Sequence, residues 1–132
     1  MANGTIAFDT LSTSGQITGT AKSLDTDYVV NGSAKSVVYF NGNGTLTTYH
    51  TFNVSSVSDD GTGLYSVTIT NNHDDTYYAK VATGGRDSTA NQDRGLGLYD
   101  ATSGTYKVQA QFQAGGNQAD SQVSGLTHGD LA

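Results

Sequence analysis

The sequence predicts an all-β protein, an antiparallel β-sandwich of jelly-roll-like winding, and three observations lead there. Apolar and polar residues alternate with a period of two. In "YKVQAQFQ" (106–113), Tyr106, Val108, Ala110 and Phe112 fall on one face and Lys107, Gln109, Gln111 and Gln113 on the other. No segment repeats apolar residues at helical spacing over three turns, and 17 Gly would interrupt most helices. Asn-Gly pairs, which supply the positive φ angles of tight hairpin turns, separate the alternating runs.

In chain order, residues 1–33 read as an N-terminal arm holding one or two short strands and packing on a neighbouring subunit; residues 34–132 read as the sandwich. Within the arm, "TIAFDTL" alternates Ile6 and Phe8, and the remainder mixes short apolar pairs with turn residues. A strand is expected over "AKSVVYF" (34–40), turned by "NGNG" (41–44) into "TLTTYHTF" (45–52). Phe52 and Val54 share one face of the next run, Tyr65, Val67 and Ile69 alternate on the returning strand, and "SDDGTG" (58–63) is the hairpin loop between them. Val57 breaks that phase, through either a bulge or a strand end at Ser56. Further strands are expected at "YYAKVAT" (77–83), "LGLYD" (96–100) and "QVSGLTH" (122–128), with "GGRDSTANQDRG" (84–95) as a surface loop.

At 132 residues the chain is one domain by length. Val, Leu, Ile and Phe make up only about a fifth of it, and there is no Cys to staple a thin core. Oligomerisation is therefore the expected source of stability. A net charge of −6 with six basic residues argues against a nucleic-acid surface. Neither a signal peptide nor a run of apolar residues long enough to span a bilayer is found, so a soluble protein made in a cytoplasm, without membrane contact, is expected.

Candidate chemistry is sparse. "NNHDDTYY" places His73 beside Asp74 and Asp75, but adjacent residues on a strand point to opposite faces, and a polar turn is the simpler reading than a metal site. Asp59 and Asp60 before Gly61 lack the spacing and terminal Glu of a calcium loop, and the chain has no Glu. No G-x-S-x-G elbow singles out a nucleophile. His50 and His128 read as surface or interface residues. No catalytic residue, metal or cofactor is assigned. The exposed loops that would meet a partner are expected to present Asp59, Asp60, His73, Asp74, Asp75, Arg86, Asp87, Asp93 and Arg94.

Two blocks, "ANGTIAFDTLSTSGQITGTAKSLDTDYVVNGSAK" (2–35) and "FNVSSVSDDGTGLYSVTIT" (52–70), with the closing "HGDLA" (128–132), resemble a family of virion structural proteins from tailed phages of aquatic bacteria. Its members occur as short free-standing proteins and as distal domains of fibres. After "NGSAK" relatives often carry a Trp-containing strand where this chain has "SVVYF", and the stretch before Phe52 tends to be more charged than "TTYH". The resemblance implies a β-rich, trimeric appendage of the particle. The glutamine-lined face at Gln109, Gln111 and Gln113 is what such a trimer tolerates, because subunit contacts satisfy polar side chains across the axis.

The expected function is that of a non-enzymatic phage virion protein: a capsid decoration, head fibre or tail-fibre component. Its expected partners are its own copies in a homotrimer, other virion proteins and a host surface glycan met by polar loops and aromatic faces. The alternative is a small carbohydrate-binding module of a cellular protein, which shares the polar loops and the eight Tyr but in which exposed Trp is usual; this chain has no Trp.

Overall fold

The computed structural model describes residues 16–17, 24–85, 94–99, 101–112 and 115–132. Among them the chain forms β1 (Gln16–Ile17), β2 (Leu24–Asp25), α1 (Thr26–Gly32), β3 (Ser36–Asn41), β4 (Thr47–Phe52) and β5 (Val54–Gly61). It continues with β6 (Leu64–Ile69), β7 (Ala79–Gly85), β8 (Arg94–Tyr99), β9 (Thr105–Phe112) and β10 (Gln122–His128).

Two four-stranded antiparallel sheets, ordered β4-β3-β10-β7 and β5-β6-β9-β8, make the sandwich. Each is built on the predicted alternation. Val38 and Phe40 of β3 and Val123 of β10 point inward from the first sheet, meeting Tyr65, Val67 and Ile69 of β6 and Tyr106, Val108 and Ala110 of β9 from the second. Phe40 and Tyr65 meet edge-on with ring centroids 5.0 Å apart. Each fully buried side chain of this size contributes roughly 1.5–3 kcal/mol.

The winding is more local than a jelly roll's. First and last sandwich strands, β3 and β10, pair as a jelly roll requires, but β4 and β9, second and seventh, lie in different sheets. Three of the six pairings within the sheets are instead simple hairpins: β3–β4, β5–β6 and β8–β9.

Four expectations need correction. Phe52 and Val54 are not neighbours on one strand: β4 ends at Phe52 and β5 begins at Val54 in the other sheet. The crossover is made at Asn53, whose φ of 53° lies in the left-handed region that Asn tolerates better than most residues. Its side chain fixes the corner: Nδ2 donates to the carbonyls of Lys35 (2.9 Å) and Asn71 (3.1 Å), and Oδ1 accepts from the Asn71 N–H (2.7 Å). The phase break at Val57 is a bulge, since register shifts between Val54 and Ser56 and Val57 then pairs with the buried Val67.

Second, "SDDGTG" is mostly strand: β5 runs through Asp59 and Asp60 to Gly61, leaving Thr62 and Gly63 to turn. Gly63 (φ +67°) is obligatory there, because a Cβ would lie 2.4 Å from the Ala110 carbonyl oxygen. Third, the expected loop 84–95 is strand at both ends, with Gly84 and Gly85 on β7 and Arg94 and Gly95 on β8. Ladder pairing to β10 and β9 overrides the weak strand preference of Gly. Fourth, the expected arm contains a helical turn as well as the short β1–β2 pair. Ser33 Oγ donates to the Val29 carbonyl (2.6 Å) and Lys35 Nζ to that of Val30, satisfying two carbonyls that the last turn leaves free. Among the described residues no helix is long and apolar enough to cross a membrane.

Candidate functional site

The expected contact residues separate to the two ends of the sandwich. At one end the β5–β6 turn packs near the start of β10. There Asp59 Oδ1 accepts from the Gly61 N–H (3.0 Å), a local turn bond. Asp60 accepts from Ser58 Oγ (3.1 Å) and from Ser66 Oγ. Both carboxylates are exposed and serve their own hairpin. Arg94 begins β8 at this end and is half-buried, not on a loop; its guanidinium lies 3.9 Å from the Phe112 ring centroid. Arg86, Asp87 and Asp93 lie outside the described residues.

Beside that turn is a group the sequence did not single out. Tyr65 is fully buried, and its hydroxyl accepts from the Ser121 N–H (3.2 Å) while donating to Asp120 Oδ1 (3.3 Å). Asp120 Oδ1 also accepts from the Gly63 N–H (2.8 Å), so one carboxylate joins the hairpin turn to the entry of β10. Burial pushes the Tyr65 phenol up to about 12, and the nearby Asp120 charge acts in the same direction. Nothing in the alternation of "LYSVTI" distinguishes Tyr65 from an ordinary core aromatic.

At the opposite end His73 corrects the expectation of an exposed loop residue: it is 1% exposed. The other four residues of "NNHDD", Asn71, Asn72, Asp74 and Asp75, are exposed, and Asp75 Oδ1 accepts from the Tyr77 N–H (2.7 Å). The reason His73 turns inward is a complete set of partners. Its Nδ1 faces the Asp130 carbonyl oxygen at 3.2 Å, a group that only accepts, so Nδ1 carries the proton. Nε2 then accepts from Thr127 Oγ1 at 2.9 Å, and Thr127 accepts from Ser36 Oγ at 2.7 Å. The ring stacks on Tyr78, centroids 3.9 Å apart at 13°, and the Tyr78 hydroxyl donates to the Thr105 carbonyl (3.0 Å) on β9. Burial holds the imidazole below its ordinary value, against the opposing pull of the Asp130 carbonyl.

A hydroxyl hydrogen-bonded to an imidazole has the connectivity of a nucleophile and its base. Here Ser36 and Thr127 are fully buried, so no reactant reaches the pair; the chain Ser36–Thr127–His73–Tyr78 instead ties the first sheet to the second. The closing residues complete it: the Asp74 N–H donates to the Asp130 carbonyl (3.0 Å) and the Ala132 N–H to that of Asn72 (3.0 Å). Among the described residues no three His, Cys, Asp or Glu side chains converge as metal ligands. A shallow cleft of about 520 Å³ opens at this end between Lys35, Phe52, Asn53 and Leu131.

Compared with known proteins, the chain matches no family model, and no curated protein or solved structure is significantly similar to it.

Proposed function

We propose that the chain is a non-catalytic phage virion structural protein, a capsid decoration, head fibre or tail-fibre component. It would be made in the host cytoplasm and assembled as a homotrimer on other virion proteins, contributing to host-surface attachment. The observation that carries this reading is the resemblance of residues 2–35, 52–70 and 128–132 to the phage family. Two of these blocks fall on parts that define the fold: 52–70 holds the Asn53 crossover and the β5–β6 hairpin, and 128–132 closes the His73 cluster. A resemblance placed on such parts supports a shared architecture.

The test is immunogold labelling of intact phage particles. Label over the head is expected for a decoration or head fibre and label at the tail for a fibre component; unlabelled particles, with the epitope shown to be accessible, would sink the proposal. A carbohydrate-binding module is the second reading, favoured by the exposed Tyr39 and Tyr49, whose rings lie 5.1 Å apart. Its mark is a monomer that binds a soluble glycan.

A further inference from the structure

Four strands form the outer edges of the two sheets: β4 and β7 in one, β5 and β8 in the other. Edge strands are commonly guarded by charge, which discourages pairing with a foreign strand. β5 carries Asp59 and Asp60, β7 carries Lys80 and β8 carries Arg94. β4, "TTYHTF", has no Asp, Glu, Lys or Arg, and all six of its residues are exposed.

The pattern continues across the sheet. In register, Phe52 stands opposite Val37, Val37 opposite Leu126, and Leu126 opposite Val81. One apolar row therefore crosses all four strands on the face turned away from the core. Val81 and Phe52 are 55% and 57% exposed. Beside the row, Tyr49, the extra residue at the β4 bulge, packs against Tyr39. The chain carries 12 acidic and 6 basic residues, yet no outward-facing position of these four strands holds one.

We propose that this face is a self-association surface, turned towards the axis of the assembly and covered there by neighbouring copies of the chain. Charge decides the occupant. Copies bearing −6 each repel, and apposing them through the one sheet face without carboxylates keeps their acids apart. A basic partner finds no acid here to pair with, and an acidic one finds no Lys or Arg, only the imidazoles of His50 and His128. The aliphatic row extends two strands beyond the tyrosines, which suits protein side chains better than a hydroxyl-rich sugar. Charge depletion with enriched aromatics is also the compositional mark of an interface core. The inference rests on the proposed function only for the expectation that copies associate; attachment to a particle is not required.

Light scattering after gel filtration tests it at micromolar concentration. The wild type is expected at a multiple of the chain mass. The variant Phe52→Glu with Val81→Glu is expected as a monomer, and Ser56→Glu, on the outward face of the other sheet, stays assembled. Hydrogen exchange on the wild type gives an independent readout: β4 amides gain protection as concentration rises through dissociation. A monomeric wild type, whether or not it binds a glycan, overturns the proposal. So does an assembled double variant, or protection that rises elsewhere and not in β4. Particles that lack the protein would sink the virion reading and leave this face standing, whereas an assembled double variant sinks the face alone.

Discussion

Two buried tyrosines on adjacent strands of one sheet offer a test in which the same chemical deletion has opposite effects. Tyr65 and Tyr106 are 0% and 2% exposed, and Tyr→Phe removes one oxygen from each. At Tyr65 that oxygen is the acceptor for the buried Ser121 N–H and a donor to Asp120. Its loss strands the N–H, at about 1–3 kcal/mol. Asp120 keeps the Gly63 N–H, which limits the damage, so about 2 kcal/mol is expected for Tyr65→Phe. The Tyr106 hydroxyl, in contrast, is buried with no hydrogen-bond partner among the described residues. An unpaired buried hydroxyl costs about 1–3 kcal/mol, of which the small void left behind takes back a part, so Tyr106→Phe is expected to stabilise by about 1 kcal/mol. Urea denaturation at one protein concentration measures both as shifts in midpoint at unchanged slope. At roughly 4 °C per kcal/mol for a domain of this size, melting moves down by about 8 °C and up by about 4 °C. A Tyr65→Phe variant as stable as the wild type, or a Tyr106→Phe variant less stable by more than about 1 kcal/mol, would refute the reasoning.

Further expectations concern the turn, the crossover and the buried histidine. Gly42→Ala would place a Cβ 2.1 Å from the Tyr65 hydroxyl oxygen, and a loss of about 3 kcal/mol in urea unfolding is expected. Asn53→Asp turns a donor into an acceptor facing the carbonyls of Lys35 and Asn71, for about 2 kcal/mol, measured the same way. His73 is held neutral when folded, so below about pH 6.5 the unfolded chain binds a proton that the folded chain resists. Its contribution is complete above pH 6.5 and declines as pH falls towards the lowered folded value. His73→Gln should flatten the stability slope between about pH 7.5 and 5.5, and an unchanged slope would exclude this origin.

Strands were legible wherever one face is buried, because inward residues then repeat every second position. "QVSGLTH" became β10 with its predicted bounds, and "YKVQAQFQ" became β9 with Tyr106, Val108 and Ala110 inside. The crossover at Asn53 was not legible, since Phe52 and Val54 keep a perfect alternation while the chain changes sheets between them. His73 was hidden for a different reason. Its immediate neighbours are polar and exposed, and the partners that draw it inward stand more than fifty residues away at Thr127 and Asp130. The role of Asp120 is likewise set by tertiary contacts with Gly63 and Tyr65 that no local pattern announces.

The pairing of first and last strands also sets an order of assembly. All four strands of the β5-β6-β9-β8 sheet are contained in residues 54–112, so that sheet is available once those residues have been synthesised. The other sheet has β10 in its interior, between β3 and β7, and the Ser36–Thr127 bond spans 91 residues. Until β10 arrives, β7 has no partner in its sheet and β3 has only β4, the uncharged strand. Contacts of such long range slow folding. During that interval both sides of the β3–β4 hairpin are open to strand addition, which makes the wait for residues 122–128 the stage of biosynthesis most exposed to aggregation.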